Sequence, residues 1–171
     1  SVGAYLDGSG ALHESPAGST VIAPWRATDG PWAERAVALL CQAGLAAESR
    51  SDARAVLFRK LLLNSAVNPV TALAMRENGA LLDEPALLRT AERAALEAAR
   101  VGWRLGLLPR EFDPVDALRT ILSETRGNRS SMMEDLARGR RTEIEEIEGA
   151  VVRLAGEVGE AVPVQRALLT L

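Results

Sequence analysis

The pattern of apolar and polar positions changes character about 25 residues into the chain. Before that point, short strand-forming runs, VGAYL (2–6), ALHES (11–15) and TVIA (20–23), alternate with the turn-rich stretches DGSG (7–10) and PAGS (16–19). This predicts a small antiparallel β meander of three strands, too small to be stable in water unless it packs on something else. From about Pro31 the apolar spacing is helical and stays so. Segment 32–46 is periodic and stops near Gly44. Ser51-Asp52 then caps a long segment that reaches Met75. Pro69 lies inside it, and the missing N–H with the restriction on Asn68 predicts a break or kink there. Segments 84–107, 113–127, 131–139, 142–160 and 162–171 follow, most of them opened by Pro, Ser or Thr and closed by Gly. The expected fold class is mainly α: six or seven helices behind a short β meander.

Composition narrows the chemistry. The chain has 171 residues, 47% hydrophobic and 25% charged, with a formal net charge of −3. Such a chain can bury about two-thirds of its unfolded surface without disulfide or metal staples. A single cysteine, Cys41, and a single histidine, His13, exclude an internal disulfide framework and a His-based metal cluster. The acidic balance argues against general nucleic-acid binding, and no apolar run is long enough to span a bilayer. No signal peptide is recognisable, so the expected location is cytoplasmic. The first residue is serine, which suggests a processed or incomplete product. Of the 20 basic residues only Lys60 is lysine. Arginine does not release a proton near neutral pH whereas lysine can, so Lys60 is a candidate for proton chemistry. A GC-rich genome would also favour arginine over lysine, which leaves chance survival of one lysine as the plain alternative.

The informative segment is VLFRKLLLNSAVNPVTALAM (56–75), apolar nearly all round, as a buried helix is. Lys60, Asn64 and Asn68 interrupt it at steps of four, so on a helix they form one polar stripe. A stripe on a buried helix is costly unless partnered. It therefore either meets a ligand, near the break expected at Pro69, or faces solvent and neighbouring loops. Elsewhere, Ser131 with Glu134 and Thr142 with Glu145 fit capping boxes, which explains those residues structurally. A helix start bearing serine hydroxyls can also hold a carboxylate. Glu143 sits where a first-turn acid is favourable in any case, and Asn78-Gly79 is a turn signal. RGRR (138–141) reads as a solvated helix end, with a phosphate contact as a second reading. Trp25, Trp32, Trp103 and Cys41 read as packing residues. The only Gly-x-Gly, at Gly8 and Gly10, fails the dinucleotide fingerprint, and no P-loop occurs.

KLLLNSAVNPVTAL (60–73) resembles the signature of the ketopantoate reductases, or 2-dehydropantoate 2-reductases. ENG (77–79), NRSSMMEDLARGRRTEIEEIEGAVV (128–152) and GEAVPVQRALLTL (159–171) agree with that family in order and spacing. GAYLDGSGALHESPAGSTVIA (3–23) resembles the last strands of its nucleotide-binding domain. The resemblance implies a helical C-terminal domain of the 6-phosphogluconate-dehydrogenase-like type at 51–171, a connecting helix at 25–50, and a β remnant of a Rossmann domain at 1–24. It implies that Lys60 is the general acid, that Asn64, Asn68, Asn78 and Ser131 bind substrate, and that Glu143 contacts the cofactor. NADPH would be bound mainly by the Rossmann domain, which the chain lacks beyond this remnant. Partners would be ketopantoate, that N-terminal domain and, as an option, a second copy in a homodimer, with neither nucleic acid nor membrane. Leu57, Leu61 and Leu63 are expected to desolvate Lys60 in part and lower its pKa. The rival readings are a paralogue acting on another 2-oxo acid and a non-catalytic helical interaction module.

Overall fold

The structure, a computed structural model, describes residues 4–6, 9–14 and 20–170. It divides into two compact units, 1–57 and 58–171.

In the first unit, β1 (Ala4–Leu6) and β2 (Leu12–Glu14) pair antiparallel, with Tyr5 opposite His13. The expected three-stranded meander does not form. β3 (Thr20–Ile22) leaves it and pairs in parallel with β4 (Ala47–Ser49), a strand the sequence pattern did not reveal. A parallel neighbour needs a crossover, and α1 (Gly30–Gln42), after a short 3-10 turn at Ala27–Asp29, supplies it. Gly44, at φ +80°, ends the helical run, and the chain returns extended. Thr20 then donates to the Ala46 carbonyl and Arg50 to that of Ile22. The turn expected at 16–19 lies outside the described residues.

This unit buries little. Ala33 is its only buried apolar side chain among the described residues, whereas Trp25 and Trp32 are 62% and 70% exposed. Neither tryptophan is the packing residue the sequence suggested: Trp25 lies under the Arg54 guanidinium, 5.5 Å from ring centroid to cation. Cys41 is likewise exposed. One 13-residue helix over two three-residue strands has too little facing surface to enclose such side chains.

α2 (Ala53–Ala74) starts under an Asp52 cap, whose carboxylate accepts from the Arg54 and Ala55 N–H groups, and runs on through the second unit. Pro69 does not interrupt it. Every residue from 65 to 72 is buried, so packing on all sides holds the backbone helical where the proline removes one hydrogen bond. Around it lie α3 (Ala80–Asp83), α4 (Pro85–Arg104), α5 (Pro114–Glu124), α6 (Ser131–Ala137), α7 (Ile144–Val158) and α8 (Pro163–Leu169). The main core joins Phe58, Leu62, Ala66 and Val70 of α2 to an alanine-lined face of α4 (Ala91, Ala94, Ala95, Ala98) and to Leu118, Val151 and Leu168. Alanines let helices approach closely. Gly102 carries this to its limit: a Cβ there would overlap Phe58 and Leu108.

Buried polar groups stitch the helices together. Glu97 accepts from the Val164 and Gln165 N–H groups at 3.0 Å each and so satisfies the start of α8. Gln165 in turn donates to Ser65 Oγ and the Ala94 carbonyl. Glu148 of α7 is the exception. It is fully buried, and neither carboxyl oxygen has a hydrogen-bond partner among the described residues. Burial pushes its pKa up to about 8. The contact with its own backbone N–H opposes this weakly and does not reach hydrogen-bond geometry. Between the ordinary carboxylate range and about 8 the folded chain holds a proton that the unfolded chain has released. Stability should therefore fall as pH rises through that window, by at most roughly 1.4 kcal/mol for each pH unit crossed, and level off above it. Glu148→Gln, which keeps shape without charge, should flatten the decline. Thermal melts of both proteins between pH 5 and 9 measure this, and parallel Tm–pH curves would rule it out.

Candidate active site

The polar side chains of the second unit fall into two sets. Members of the first are bonded internally. Ser65, Thr71, Glu97, Ser130 and Gln165 are all buried, and each makes at least one hydrogen bond to a neighbouring element or its own helix. Members of the second are uncommitted. Among the described residues the side chains of Lys60, Asn64, Asn68, Ser131 and Glu143 make no hydrogen bond or ion pair. These are five of the six positions singled out in the sequence; the sixth, Asn78, commits only its NH2 group.

Lys60, Asn64 and Asn68 descend one face of α2 from exposed through half-buried to buried, with Asn68 7% exposed. The stripe is thus graded rather than wholly solvated or wholly enclosed. Asn68 is nearly enclosed as a residue, yet its unpartnered amide atoms are not among the buried ones, so the little surface it keeps includes the polar end of the side chain. Lys60 itself is exposed, contrary to the expected desolvation: Leu57 beside it is 55% exposed, and Leu61 and Leu63 are only half-buried. Within this chain the leucines do not close over the ammonium group.

Two links bring the other residues toward α2. A cluster of Ala72, Met132, Met133 and Ile147, flanked by Leu61 and Ile144, joins α2, α6 and α7. Lys60, Ser131 and Glu143 each immediately precede a member of that cluster, so packing of the next side chain positions each of them. The second link is polar. Thr71 Oγ1 of α2 gives its one proton to the Val67 and Asn68 carbonyls, at 2.9 and 3.0 Å, so across the 2.8 Å contact the Ser130 hydroxyl donates to it, while Ser130 Oγ accepts from the Met133 N–H at 3.2 Å. Ser130, not Ser131, is therefore the cap of α6. The capping role needs an extended residue before the first turn, and Ser130 has that geometry (φ −66°, ψ 152°). Ser131 is left exposed on the first turn with a free hydroxyl. The Thr142 box likewise does not form; α7 starts at Glu143 with no side-chain cap, and Glu143 is exposed there. The arginines after α6 are engaged with its acids, Arg138 with Glu134 at 3.0 Å and Arg140 with Asp135 at 2.7 Å, which matches the solvated-end reading.

Asn78 is held by a loop-to-loop contact. Its N–H donates to the Asn128 carbonyl and that of Gly79 to the Arg126 carbonyl, each at 2.9 Å. Only glycine fits at 79, since a Cβ would stand 2.9 Å from the Arg126 carbonyl oxygen. Arg126 also pairs with Asp83 at 2.5 Å and holds its carboxyl below the usual range, chiefly through that hydrogen bond. Gly79, Asp83 and Arg126 border an open cavity of about 510 Å³, which Met75, Arg129 and Met133 also line. Met75 has φ +51°, the only non-glycine residue among those described to turn left-handed, and it directs the chain off the end of α2 toward Asn78. Sequence reasoning missed Thr71, Thr125 and Ser130. Thr71 lies three residues beyond Asn68, one turn along the same helix, but a threonine in an apolar helix carries no signal of its own.

Residues 52–171 match the family described as ketopantoate reductase PanE/ApbA, C terminal. The 2-dehydropantoate 2-reductase of Archaeoglobus fulgidus is 39% identical over 139 residues, 81% of this chain and 46% of that enzyme. A crystal structure of a PanE/ApbA family ketopantoate reductase from Ralstonia eutropha superposes with a TM-score of 0.82 at 28% identity, covering 99% of this chain and 55% of the other. The ternary structure of D-mandelate dehydrogenase with NADH and anilino(oxo)acetate shares the fold, with a TM-score of 0.86 at 23% identity over 99% of this chain and 56% of that one. This chain belongs to the ketopantoate reductase family and carries its C-terminal helical domain. It spans about half the length of the curated relatives it matches.

The two sets of polar residues should separate in stability. Ser130→Ala removes a cap and the Thr71 partner and should cost about 1–2 kcal/mol. Ser131→Ala should change stability by less than about 0.5 kcal/mol. Urea unfolding of both variants is the measurement, and equal losses would reject the division.

Proposed function

We propose that this chain is the catalytic and substrate-binding half of an NADPH-dependent 2-dehydropantoate 2-reductase, which reduces ketopantoate to pantoate on the way to pantothenate and coenzyme A. The observation that carries the reading is the uncommitted polar set. A helix buried through 65–72 brings Asn68 into the interior without an internal partner, in line with Asn64 and an exposed lysine. A non-catalytic packing module has no use for that arrangement.

The roles follow from the chemistry. When bound, the dinucleotide supplies a hydride to the ketone carbon. The oxygen then gains negative charge and needs a proton, which the Lys60 ammonium gives from Nζ; the resulting amine recovers a proton from solvent. Asn64 and Asn68 orient that ammonium and hold polar groups of the substrate. Ser131, on the first turn of α6, holds the substrate carboxylate. Glu143 is exposed and free of internal partners, which fits an acceptor for donor groups of the nicotinamide cofactor. Residues 1–24 are the proposed remnant of the Rossmann domain. The exposed Trp25, Trp32, Leu39 and Leu45 are apolar surface that such a domain would cover, and its closure over Lys60 would supply the desolvation α2 does not.

Alone, the chain should show no NADPH-dependent turnover of ketopantoate, because it has no glycine-rich phosphate loop. Joined to its dinucleotide-binding domain it should turn over, and robust activity of the isolated chain would overturn this division of labour. In the complete enzyme, Lys60→Arg should fail almost as badly as Lys60→Ala, with kcat reduced by about 10²–10⁴. Arginine keeps the charge but cannot give up a proton near neutral pH. A near-normal kcat for the arginine variant at saturating substrate would make Lys60 an electrostatic clamp rather than the acid.

A further inference from the structure

Thr71 ends the polar stripe of α2. The eleven residues from Lys60 to Thr71 make three helical turns and about 20°, so Thr71 stands on the face that Lys60, Asn64 and Asn68 share. Unlike those three it is fully enclosed, and its hydroxyl meets Ser130 Oγ ahead of the first turn of α6. The stripe that begins in solvent at Lys60 therefore ends against α6. The protons of this contact have one arrangement that satisfies every partner. The Thr71 proton is held by the Val67 and Asn68 carbonyls, which only accept, so Ser130 supplies the proton between the two hydroxyls. Ser130 Oγ then turns a lone pair to the Met133 N–H. A one-way chain results, from the Met133 N–H through Ser130 and Thr71 to the carbonyl of Asn68. Both hydroxyls are buried, so neither can exchange its partner for water. Each end of the chain borders a residue with an uncommitted and accessible polar group, Asn68 on α2 and Ser131 on α6.

We propose that Thr71 is a positioning residue: acting through Ser130, it sets where the start of α6, and with it Ser131, stands relative to Asn64 and Asn68, and so determines how tightly the substrate carboxylate is held. This rests on the reductase reading above and deepens it. Apolar packing alone would leave that placement loose. The cluster between α2 and α6 is built from Ala72, Met132 and Met133 with Ile147 of α7, and methionines adapt to gaps rather than fix a register. α6 is only seven residues long, so it has little other surface to hold it. A directional hydrogen bond supplies what the cluster does not, because its length and angle specify one position along α2.

The test is a double-mutant cycle in the complete enzyme, with Thr71→Val, Ser131→Ala and the two combined. Valine keeps the shape of threonine and leaves the Ser130 cap on Met133 in place, so it removes the tie alone. KM for ketopantoate should rise about 3- to 10-fold with kcat within about twofold, since a carboxylate contact is made in ground and transition state alike. KM for NADPH should stay within about twofold. In the Ser131→Ala background the valine substitution should change KM for ketopantoate by less than about twofold, because the contact it positions is already gone. Thr71→Ser retains the hydroxyl and should restore the wild-type KM. A purely structural threonine would lower stability without moving KM, or raise KM equally in both backgrounds; either result overturns the inference, as does a serine variant that behaves like valine. Thr71→Ala, carried through the same cycle, takes the place of a valine variant that does not fold. If Ser131→Ala itself leaves KM unchanged while the wild-type enzyme reduces ketopantoate, the inference is wrong and the reductase reading stands. A wild-type enzyme that does not reduce ketopantoate overturns that reading, and this inference with it.

Discussion

The burial of α2 is the constraint on which the second unit depends. From Ser65 to Ala72 every residue of the helix is buried, so a polar atom enclosed there must find a partner or be costly. Ser65 and Thr71 find theirs on other elements, Gln165 of α8 and Ser130 at the start of α6. Those two bonds tie α2 to segments 100 and 59 residues away along the chain. The same burial holds Pro69 in a helical run that its chemistry opposes. An energetic preference of a single residue is outweighed here by close packing around eight consecutive ones.

Much of this was legible in the pattern of residues, and the parts that were not share a physical cause. Most helix positions followed from apolar periodicity, and the cap at Asp52 formed where expected; Asp113 caps α5 in the same way, each carboxylate accepting from N–H groups two and three residues on. The polar stripe on α2 is real and graded. The failures concern competition between local and distant partners. Ser131 and Thr142 satisfy the sequence rule for a capping box, but Ser130 has the additional Thr71 hydroxyl to bond and takes the cap of α6. β3 satisfies the rule for a meander strand, yet β4, 27 positions on in register, is the partner it takes. A three-residue strand such as AES has no alternation to read. Trp25 and Trp32 show the converse limit: residue type predicts burial only where there is enough structure to bury it.

The exposed lysine bears on how a proton donor is built. A group that is to donate during the reaction must be charged beforehand and hydrated little at the moment of transfer. Leu57, Leu61 and Leu63 leave Lys60 open to water, so α2 provides position without the dry environment. In the proposed enzyme those two requirements are divided between domains. There the side chain would stay hydrated until the dinucleotide-binding half covered it. A lysine sealed inside the helical domain would instead be held neutral by its own burial and would lack the proton the ketone oxygen needs.

The buried acceptors extend that argument. Glu148 Oε1 and Oε2, Gln165 Oε1 and Asn78 Oδ1 are all buried without donors among the described residues, yet they do not mean the same thing. Glu148 can relieve its position by holding a proton, and burial shifts it that way. Gln165 already bonds Ser65 and Ala94 through its NH2 group, and its backbone N–H reaches Glu97, so its loose oxygen is the remainder of a residue employed in packing. Asn78 has neither outlet. It cannot change protonation, and its single side-chain bond runs to a threonine that is itself committed. An apolar side chain of similar size would avoid the cost of the orphaned oxygen. The NH2 group and backbone N–H of Asn78 tie the turn after α2 to Thr125 and Asn128, and the unpaired oxygen is the cost of that tie.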